Sequence, residues 1–256
     1  MYNNLKIYFI LKMPEGPEVK LTTDFLKKHL SGKVIYSWIN DFLNVEDENT
    51  LENAFPMIVG NIYCKGKNIV FMLHNEYNTF YIIHHMGLTG FWSLELYTRG
   101  PQWRWMIEAE EIKLYFYDAK RIASMYLNYD DSILASIGPD ILTNDFNMQI
   151  WKKKMDEHRD MNITCFLMDQ SIFSGIGNYI KAEALYYAKI SPLRKVETLS
   201  ENEREKLFEG VFIVSRTSYA SGGIDGMVLS IYGRNDKEKT QTPDGRITYW
   251  DDEIQI

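Results

Sequence analysis

The sequence predicts an α+β protein in two parts: a β-rich part with a leading helix, then a helical part ending in a β-hairpin. From about Val34 to Leu127, short segments rich in Ile, Val, Tyr, Phe and Trp alternate with turn signals, which is typical of antiparallel sandwiches and barrels. After the turn at residues 136–140 the pattern becomes helical, which places the domain boundary there. With 256 residues, 45% of them hydrophobic, the chain can close packed cores.

The leading helix is predicted from Pro14 to a stop at Gly32. Pro17 suits a first helical turn, and Glu15 and Glu18 lie where the helix dipole favours anions. Apolar residues recur on one side of the helix: Val19, Leu26 and Leu30.

In the second part, helices are expected over Ile163–Gln170, Tyr179–Lys189 and Glu201–Tyr219. Ser200 and Glu203 have the spacing of a capping box before the last of these. The segment from Val228 to Trp250 is expected to form two strands around the turn signal Pro-Asp-Gly at residues 243–245.

Composition excludes several classes of protein. The only cysteines, Cys64 and Cys165, rule out a disulfide framework or a cysteine zinc finger, and we expect both to be small buried hydrophobes. No apolar run reaches the 18 to 20 or so residues of a membrane span, and Ile7–Leu11 is too short for a signal-peptide core. The net charge of −7 counts against nucleic acid on composition alone, although a local basic stripe can coexist with it.

The stretch Met13–Val19, MPEGPEV, supports two interpretations. It is an ordinary helix start; alternatively, removal of Met13 leaves Pro14 with a free secondary amine, which is nucleophilic near neutral pH. Glu15 then places a general acid beside the nucleophile.

Three further stretches are weak alone. Ser174–Tyr179, SGIGNY, is either a turn or a phosphate cradle at a helix start with Asn178 as a cap or extra donor. Tyr117–Arg121, YDAKR, ends a strand with two cations, which solvent exposure alone explains. The final hairpin carries a cluster of basic residues diluted by acidic ones: Arg234, Lys237, Lys239 and Arg246.

Together the motifs resemble the formamidopyrimidine-DNA glycosylase and endonuclease VIII family. They run in order from Met13 to about Trp250: PEGPEV, KGK at 65–67, HMGLTG at 85–90, DAKR, GIGNYIKAEAL, IYGR and DGRITYW. The resemblance implies a bifunctional DNA glycosylase and abasic-site lyase with an N-terminal β-sandwich, a helix-two-turn-helix module and a β-hairpin finger. It implies damaged duplex DNA and abasic DNA as partners, no cofactor, no membrane partner and a monomer located with DNA in cytoplasm or nucleus.

The same resemblance assigns roles to residues. Pro14 is implied as the Schiff-base nucleophile, Glu15 as the acid that assists ring opening and base loss, and Lys67 as a phosphate contact that serves in elimination. The remaining implied DNA contacts are phosphate ligands Asn178 and Arg121, finger residues Arg246 and Arg234, and void-filling side chains Leu88, Lys120 and Ile122.

Departures from the family pattern are also expected to matter. The finger has no cysteine, which resembles the zincless finger of some relatives and predicts no metal. Lys120 stands for the intercalating arginine and Ile122 for the usual aromatic, which affects discrimination of the opposite base. His85 is expected to be a packed or hydrogen-bonded strand residue rather than a catalyst.

The expected division is an extension at 1–12, a catalytic β-sandwich domain at 13–130, a helix-two-turn-helix domain at 131–226 and a zincless finger at 227–256. The family's purine-specific branch has a longer loop between the Gly-Gly and the YGR strand, so the short segment between Gly222-Gly223 and Tyr232 implies, by resemblance, a preference for oxidised pyrimidines, with a purine-preferring enzyme as the alternative. If residues 1–12 stay attached, the alternative is an inactive DNA-binding relative; a third is an unrelated β-sandwich protein. We expect translation from Met13.

Overall fold

A computed structural model describes residues 14–39, 45–98, 100 and 102–256, so the lead at 1–12 lies outside the described residues. The described chain divides into two compact units. The first comprises residue 14 and residues 19–135, and the second comprises residues 15–18 and 136–256. Four residues near the start of the chain therefore belong to the second unit.

The first unit is an antiparallel β structure, which confirms the predicted fold class. The first helix is α1 (Gly16–Leu30), and Gly32 follows it with a φ of 75°. The strands are β1 (Val34–Ile39), β2 (Met57–Lys65), β3 (Asn68–His74), β4 (Thr79–His85), β5 (Phe91–Ser93), β6 (Trp103–Ala109), β7 (Ile112–Tyr117) and β8 (Ser124–Asn128). Their order in the sheet is β5-β7-β6-β1-β2-β3-β4-β8.

One helix of this unit, α2 (Val45–Ala54), was not predicted. Its sequence is polar and acidic and lacks the apolar stripe by which helices are recognised. Of the α2 side chains at residues 46–54, only Leu51 and Ala54 are buried against the core of the unit. The helix therefore gave too weak a periodic signal to be seen in the sequence.

An aromatic cluster lies between the two halves of the sheet. The buried ring of His84, on β4, lies 4.4 Å from the ring of Trp105 and 4.7 Å from that of Phe116, which lie on β6 and β7. These strands are far from β4 in the sheet order, so the two halves of the sheet face each other across the core. Burial lowers the pKa of His84 to about 3, so its imidazole is neutral in the folded protein.

The second unit is helical. Its helices are α3 (Met148–Glu157), α4 (Ile163–Met168), α5 (Asn178–Ala188) and α6 (Glu201–Ala220). The three predicted helices are confirmed, and the capping box of Ser200 and Glu203 is present at the start of α6. Helix α3 was not predicted; its Trp151 lies at the centre of a ring cluster with Phe166 and Phe173.

The final hairpin is shorter than expected. Its strands are β9 (Glu238–Gln241) and β10 (Ile247–Trp250), so the prediction of strand from Val228 onward was wrong. The Glu183 carboxylate on α5 accepts hydrogen bonds from the backbone N–H groups of Ser230, Ile231 and Tyr232, at 2.8, 2.8 and 2.7 Å. These donors are therefore taken by a helix side chain instead of a neighbouring strand.

Among the described residues, no helix combines the length and the apolar character needed to cross a bilayer.

Candidate active site and nucleic-acid interface

Glu15 joins the two most distinctive sequence motifs within the second unit. Its carboxylate accepts hydrogen bonds from the backbone N–H groups of Tyr179 at 2.9 Å and Ile180 at 3.2 Å, in the first turn of α5. Glu15 directly precedes α1 (Gly16–Leu30), as predicted, but its carboxylate occupies the N-terminus of α5. Helix N-termini favour such a charge because their first N–H groups lack helical partners.

Glycines make this approach possible. A Cβ atom at Gly177 would lie 2.2 Å from the Cδ atom of Glu15, and one at Gly16 would lie 3.1 Å from the Cα atom of Gly175. The backbone N–H of Gly16 also donates to the carbonyl of Gly175 at 2.8 Å. The glycines of the SGIGNY stretch thus admit a carboxylate of the same chain.

Glu18 holds the backbone of Glu15. Its Oε2 accepts the N–H of Glu15 at 3.0 Å, and its Oε1 accepts the hydroxyls of Tyr179 and Ser218 at 3.1 Å each and the N–H of Ile224 at 2.8 Å. Burial raises the pKa of Glu18 even though these donors oppose the rise. The residue that follows Pro14 is therefore anchored by side chain and by backbone.

Asn178 begins α5 and is not its N-cap, which was one of the two roles predicted for it. The N-cap is Gly177, and the Asn178 amide donates to the carbonyl of Ile247 at 2.9 Å, which ties α5 to the hairpin. Its Oδ1 is buried and has no hydrogen-bond partner among the described residues. Arg246, next to Ile247, is exposed in the hairpin turn.

In the first unit, Lys67 lies in the tight turn between β2 and β3, beside the end of β4. Gly66, with a φ of 58°, allows that turn, and Asn68 pairs with His85 across β3 and β4. Burial, and then the nearby charge of Lys67, lower the pKa of His85. His85 Nδ1 accepts the N–H of Gly87 at 3.2 Å, so its predicted structural role is confirmed.

The loops that carry Leu88 and the Lys120–Ile122 stretch are joined by a buried carboxylate, Asp118. One oxygen accepts the Thr89 hydroxyl at 2.8 Å, and the other accepts the N–H groups of Ile122 and Ala123 at 2.7 and 2.8 Å. Arg104 pairs with Asp118 at 3.3 Å. Within this unit, the structure thus brings together the two loops predicted to fill the space left by a base.

These loops present their side chains to solvent. Lys120 and Arg121 are exposed, Ile122 is 48% exposed and Leu88 is half-buried. Arg121 has a φ of 55°, an uncommon value for a residue with a side chain, and the N–H bonds to Asp118 hold the turn around it.

The remaining predicted site residue is Arg234. It is exposed and forms an ion pair with Asp236 at 2.8 Å. Cys64 and Cys165 are half-buried thiols instead of fully buried ones. Over residues 14–39, 45–98, 100 and 102–256, no group of three His, Cys, Asp or Glu side chains is arranged to hold a metal.

Sequence reasoning missed the buried charged residues that organise the site. Asp118, Glu183 and the pair Lys181 and Asp244 act through contacts distant in sequence. One signal was available: Lys181 and Glu183 interrupt the otherwise apolar helix sequence NYIKAEAL, where a charge needs a buried partner.

An antiparallel β unit that includes Pro14, and a helical unit with a hairpin that includes Glu15, together define a class of protein. The family model described as the formamidopyrimidine-DNA glycosylase N-terminal domain matches residues 13–125, and that of the same family's helix-two-turn-helix domain matches residues 137–225. The chain belongs to the formamidopyrimidine-DNA glycosylase family.

Curated relatives agree. A formamidopyrimidine-DNA glycosylase of Legionella pneumophila (strain Paris) is 30% identical over 251 residues, covering 87% of this chain and 88% of the relative. One from Prochlorococcus marinus (strain MIT 9301) is 29% identical over 218 residues, covering 73% and 74%.

Solved structures share the fold. The Lactococcus lactis formamidopyrimidine-DNA glycosylase, bound non-covalently to DNA containing an abasic site, has a TM-score of 0.83 at 22% identity, covering 94% of this chain and 99% of that one. The Thermus thermophilus protein has a TM-score of 0.79 at 23% identity, covering 94% and 98%.

Proposed function

We propose that this protein is a DNA glycosylase of base excision repair that also cleaves abasic sites. The Pro14 nitrogen attacks the sugar carbon that carries the damaged base, the bond from that carbon to the base breaks, and the base leaves with the proton that the nitrogen gives up. The bond from the same carbon to the ring oxygen then breaks, the oxygen takes a proton from Glu15, and an iminium links protein and sugar. Elimination then breaks the strand on both sides of the sugar. The proposal rests on family membership and on one observation: Glu15, next to Pro14, is buried and held by two N–H groups.

The remaining groups are proposed to bind DNA. Lys67, Arg121 and Arg246 supply positive charge, and Asn178 supplies an amide; phosphates of a damaged duplex are the groups they suit. Leu88, Lys120 and Ile122 are proposed to fill the gap left by an everted base, which an apolar or long side chain can do. Arg234 is proposed as a further DNA contact, and on binding DNA it would give up its ion pair with Asp236.

The chemistry requires a free amine at Pro14. The nitrogen of a peptide-bonded proline has its lone pair delocalised into the carbonyl, so it cannot attack. The family model's match from residue 13 supports a mature protein that begins at Pro14 after removal of Met13. With residues 1–12 attached, the protein would bind damaged DNA without cleaving it.

Borohydride trapping on an abasic oligonucleotide tests this function. Protein produced from Met13 should form a covalent adduct and cleave the strand, whereas verified intact Met1 protein and Pro14→Gly should be severely slowed. Pro14→Gly keeps a terminal amine, so its residual rate measures the contribution of the secondary amine and the ring. Equal trapping by intact Met1 protein would exclude Pro14 as the nucleophile.

For the substrate, we propose oxidised pyrimidines in preference to 8-oxoguanine, with ring-opened purines tolerated. Only eight residues, 224–231, separate Gly223 from Tyr232, and the first of them form a single 3-10 turn at Ile224–Gly226. So short a segment offers little cover for a bicyclic base. The names of the curated relatives favour the second candidate, a purine-preferring enzyme. Excision of 8-oxoguanine opposite cytosine as fast as 5-hydroxyuracil would decide for that candidate.

We further propose that the hairpin is a zincless finger. Side-chain hydrogen bonds join its two strands: the hydroxyls of Thr242 and Thr248 lie 2.7 Å apart, and Trp250 Nε1 donates to the Thr240 hydroxyl at 3.0 Å. The interval from Tyr232 to Trp250 contains neither Cys nor His.

A further inference from the structure

The second unit contains a buried ion pair between helix α5 and the hairpin turn. Lys181 Nζ lies 2.6 Å from Asp244 Oδ2, and the two side chains are 0% and 2% exposed. A buried ammonium and carboxylate are costly to remove from water, so such a pair persists only where its geometry is well satisfied.

The pair lies next in sequence to two proposed DNA-binding groups of this unit. Lys181 lies one helical turn after Asn178, and Asp244 lies two residues before Arg246. Burial lowers the pKa of Lys181, the ion pair with Asp244 opposes the fall, and the positive charge of Arg246 adds to it. The neighbouring lysine holds the pKa of Asp244 below its usual value, so the aspartate is ionised.

Asp244 also shapes its own turn. The hydroxyl of Thr242 donates to Asp244 Oδ1 at 2.5 Å, the N–H of Gly245 donates to the carbonyl of Thr242 at 2.9 Å, and the N–H of Thr242 donates to the carbonyl of Arg246 at 2.9 Å. The carboxylate thus connects the turn to itself through one oxygen and to α5 through the other.

We propose that Lys181 and Asp244 are positioning residues that fix Arg246 relative to Asn178. In a hairpin without metal ligands, the ion pair holds the turn in the place of a bound metal. The inference rests on the proposed DNA glycosylase function. Neither residue needs to touch DNA, because both side chains are buried. The ion pair is a directional connection between α5 and the turn, which apolar contact would not supply.

The variants are Lys181→Met, Asp244→Asn and Lys181→Met with Asp244→Leu, each made alone and with Arg246→Ala. Lys152→Met, which removes a half-buried lysine paired with Glu201 and Glu205, is the control. Each protein is tested for melting temperature, for amide exchange at Thr242 and Gly245, and for kcat/KM on a damaged duplex.

Lys181→Met should speed amide exchange at Thr242 and Gly245 at least tenfold and lower kcat/KM at least tenfold. When Arg246→Ala is added to Lys181→Met, kcat/KM should fall by less than about a further twofold. The double apolar variant should recover the melting temperature, because no unpaired carboxylate remains buried, while kcat/KM stays reduced. The control should match wild type throughout.

Two results would overturn the proposal: kcat/KM that recovers together with the melting temperature in the double apolar variant, or an Arg246→Ala effect of equal size with and without Lys181. If wild-type protein shows no activity, the proposed function fails, but exchange at Thr242 and Gly245 still reports whether the pair fixes the turn. Unchanged exchange in Lys181→Met would reject it on that ground alone.

Discussion

Gly177→Ala tests the junction of Glu15 with α5. The new methyl group would lie 2.2 Å from the Cδ atom and 2.4 Å from the Oε1 atom of Glu15, so the carboxylate must move. The φ of Gly177 is −132°, which alanine adopts without strain, so the effect would come from the collision and not from the backbone.

The magnitude follows from the bonds that would be lost. Glu15 accepts N–H groups from Tyr179 and Ile180, and a hydrogen bond to a charged group contributes about 1.5 to 3 kcal/mol. We expect the free energy of unfolding to fall by about 3 kcal/mol in urea denaturation. In a Glu15→Ala background the colliding atoms are absent, so the same substitution should cost less than about 1 kcal/mol.

Gly177→Ala should reduce base excision more than it reduces trapping on abasic DNA. Loss of a positioned general acid costs about a hundredfold or more, and we expect excision of 5-hydroxyuracil under single-turnover conditions to fall by that amount. Trapping on abasic DNA should fall less than about tenfold, because no base has to leave. Wild-type stability and excision in Gly177→Ala, or an equal cost in the Glu15→Ala background, would refute this account of the two motifs.

Three further outcomes are expected. His84 has a folded pKa of about 3 against 6.5 in the unfolded chain, so its stabilisation is complete above pH 6.5 and is lost as the pH falls. His84→Leu should remove about 1.4 kcal/mol of the stability loss between pH 7.5 and 5.5, and an unchanged slope contradicts neutral burial. Arg246→Ala should reduce the salt slope of duplex binding by about one, and an unaltered slope with full activity removes Arg246 from the interface. A chelator should change neither melting temperature nor activity, and stoichiometric zinc in purified protein would contradict the zincless finger.

Features encoded by neighbouring residues could be predicted from the sequence. Helix α6 was predicted because Ser200 and Glu203 form a local capping box, and the hairpin turn because Pro-Asp-Gly favours one. The motif order led to the family, which the family models and relatives confirm.

Features set by distant partners could not be predicted. Nothing near Glu15 in the sequence shows that its carboxylate binds Tyr179 and Ile180, and the SGIGNY glycines look the same whether they admit a phosphate or a side chain. The strand expected after Val228 failed for a similar reason, because its N–H groups are claimed by Glu183 on another element. The roles of the individual site residues remain predictions.

The membership of residues 15–18 in the second unit has a consequence for how that unit is completed. Tyr179 follows Glu15 by 164 residues, so this contact closes a very long loop, and folding meets that entropic cost before the bonds form. A fragment of residues 136–256 made alone would keep the Tyr179 and Ser218 hydroxyls and the first N–H groups of α5, but it would lack the two carboxylates that accept them. During synthesis, the carboxylates of Glu15 and Glu18 can therefore form these hydrogen bonds only after α5 and α6 have been made, and this part of the molecule reaches its native state only then.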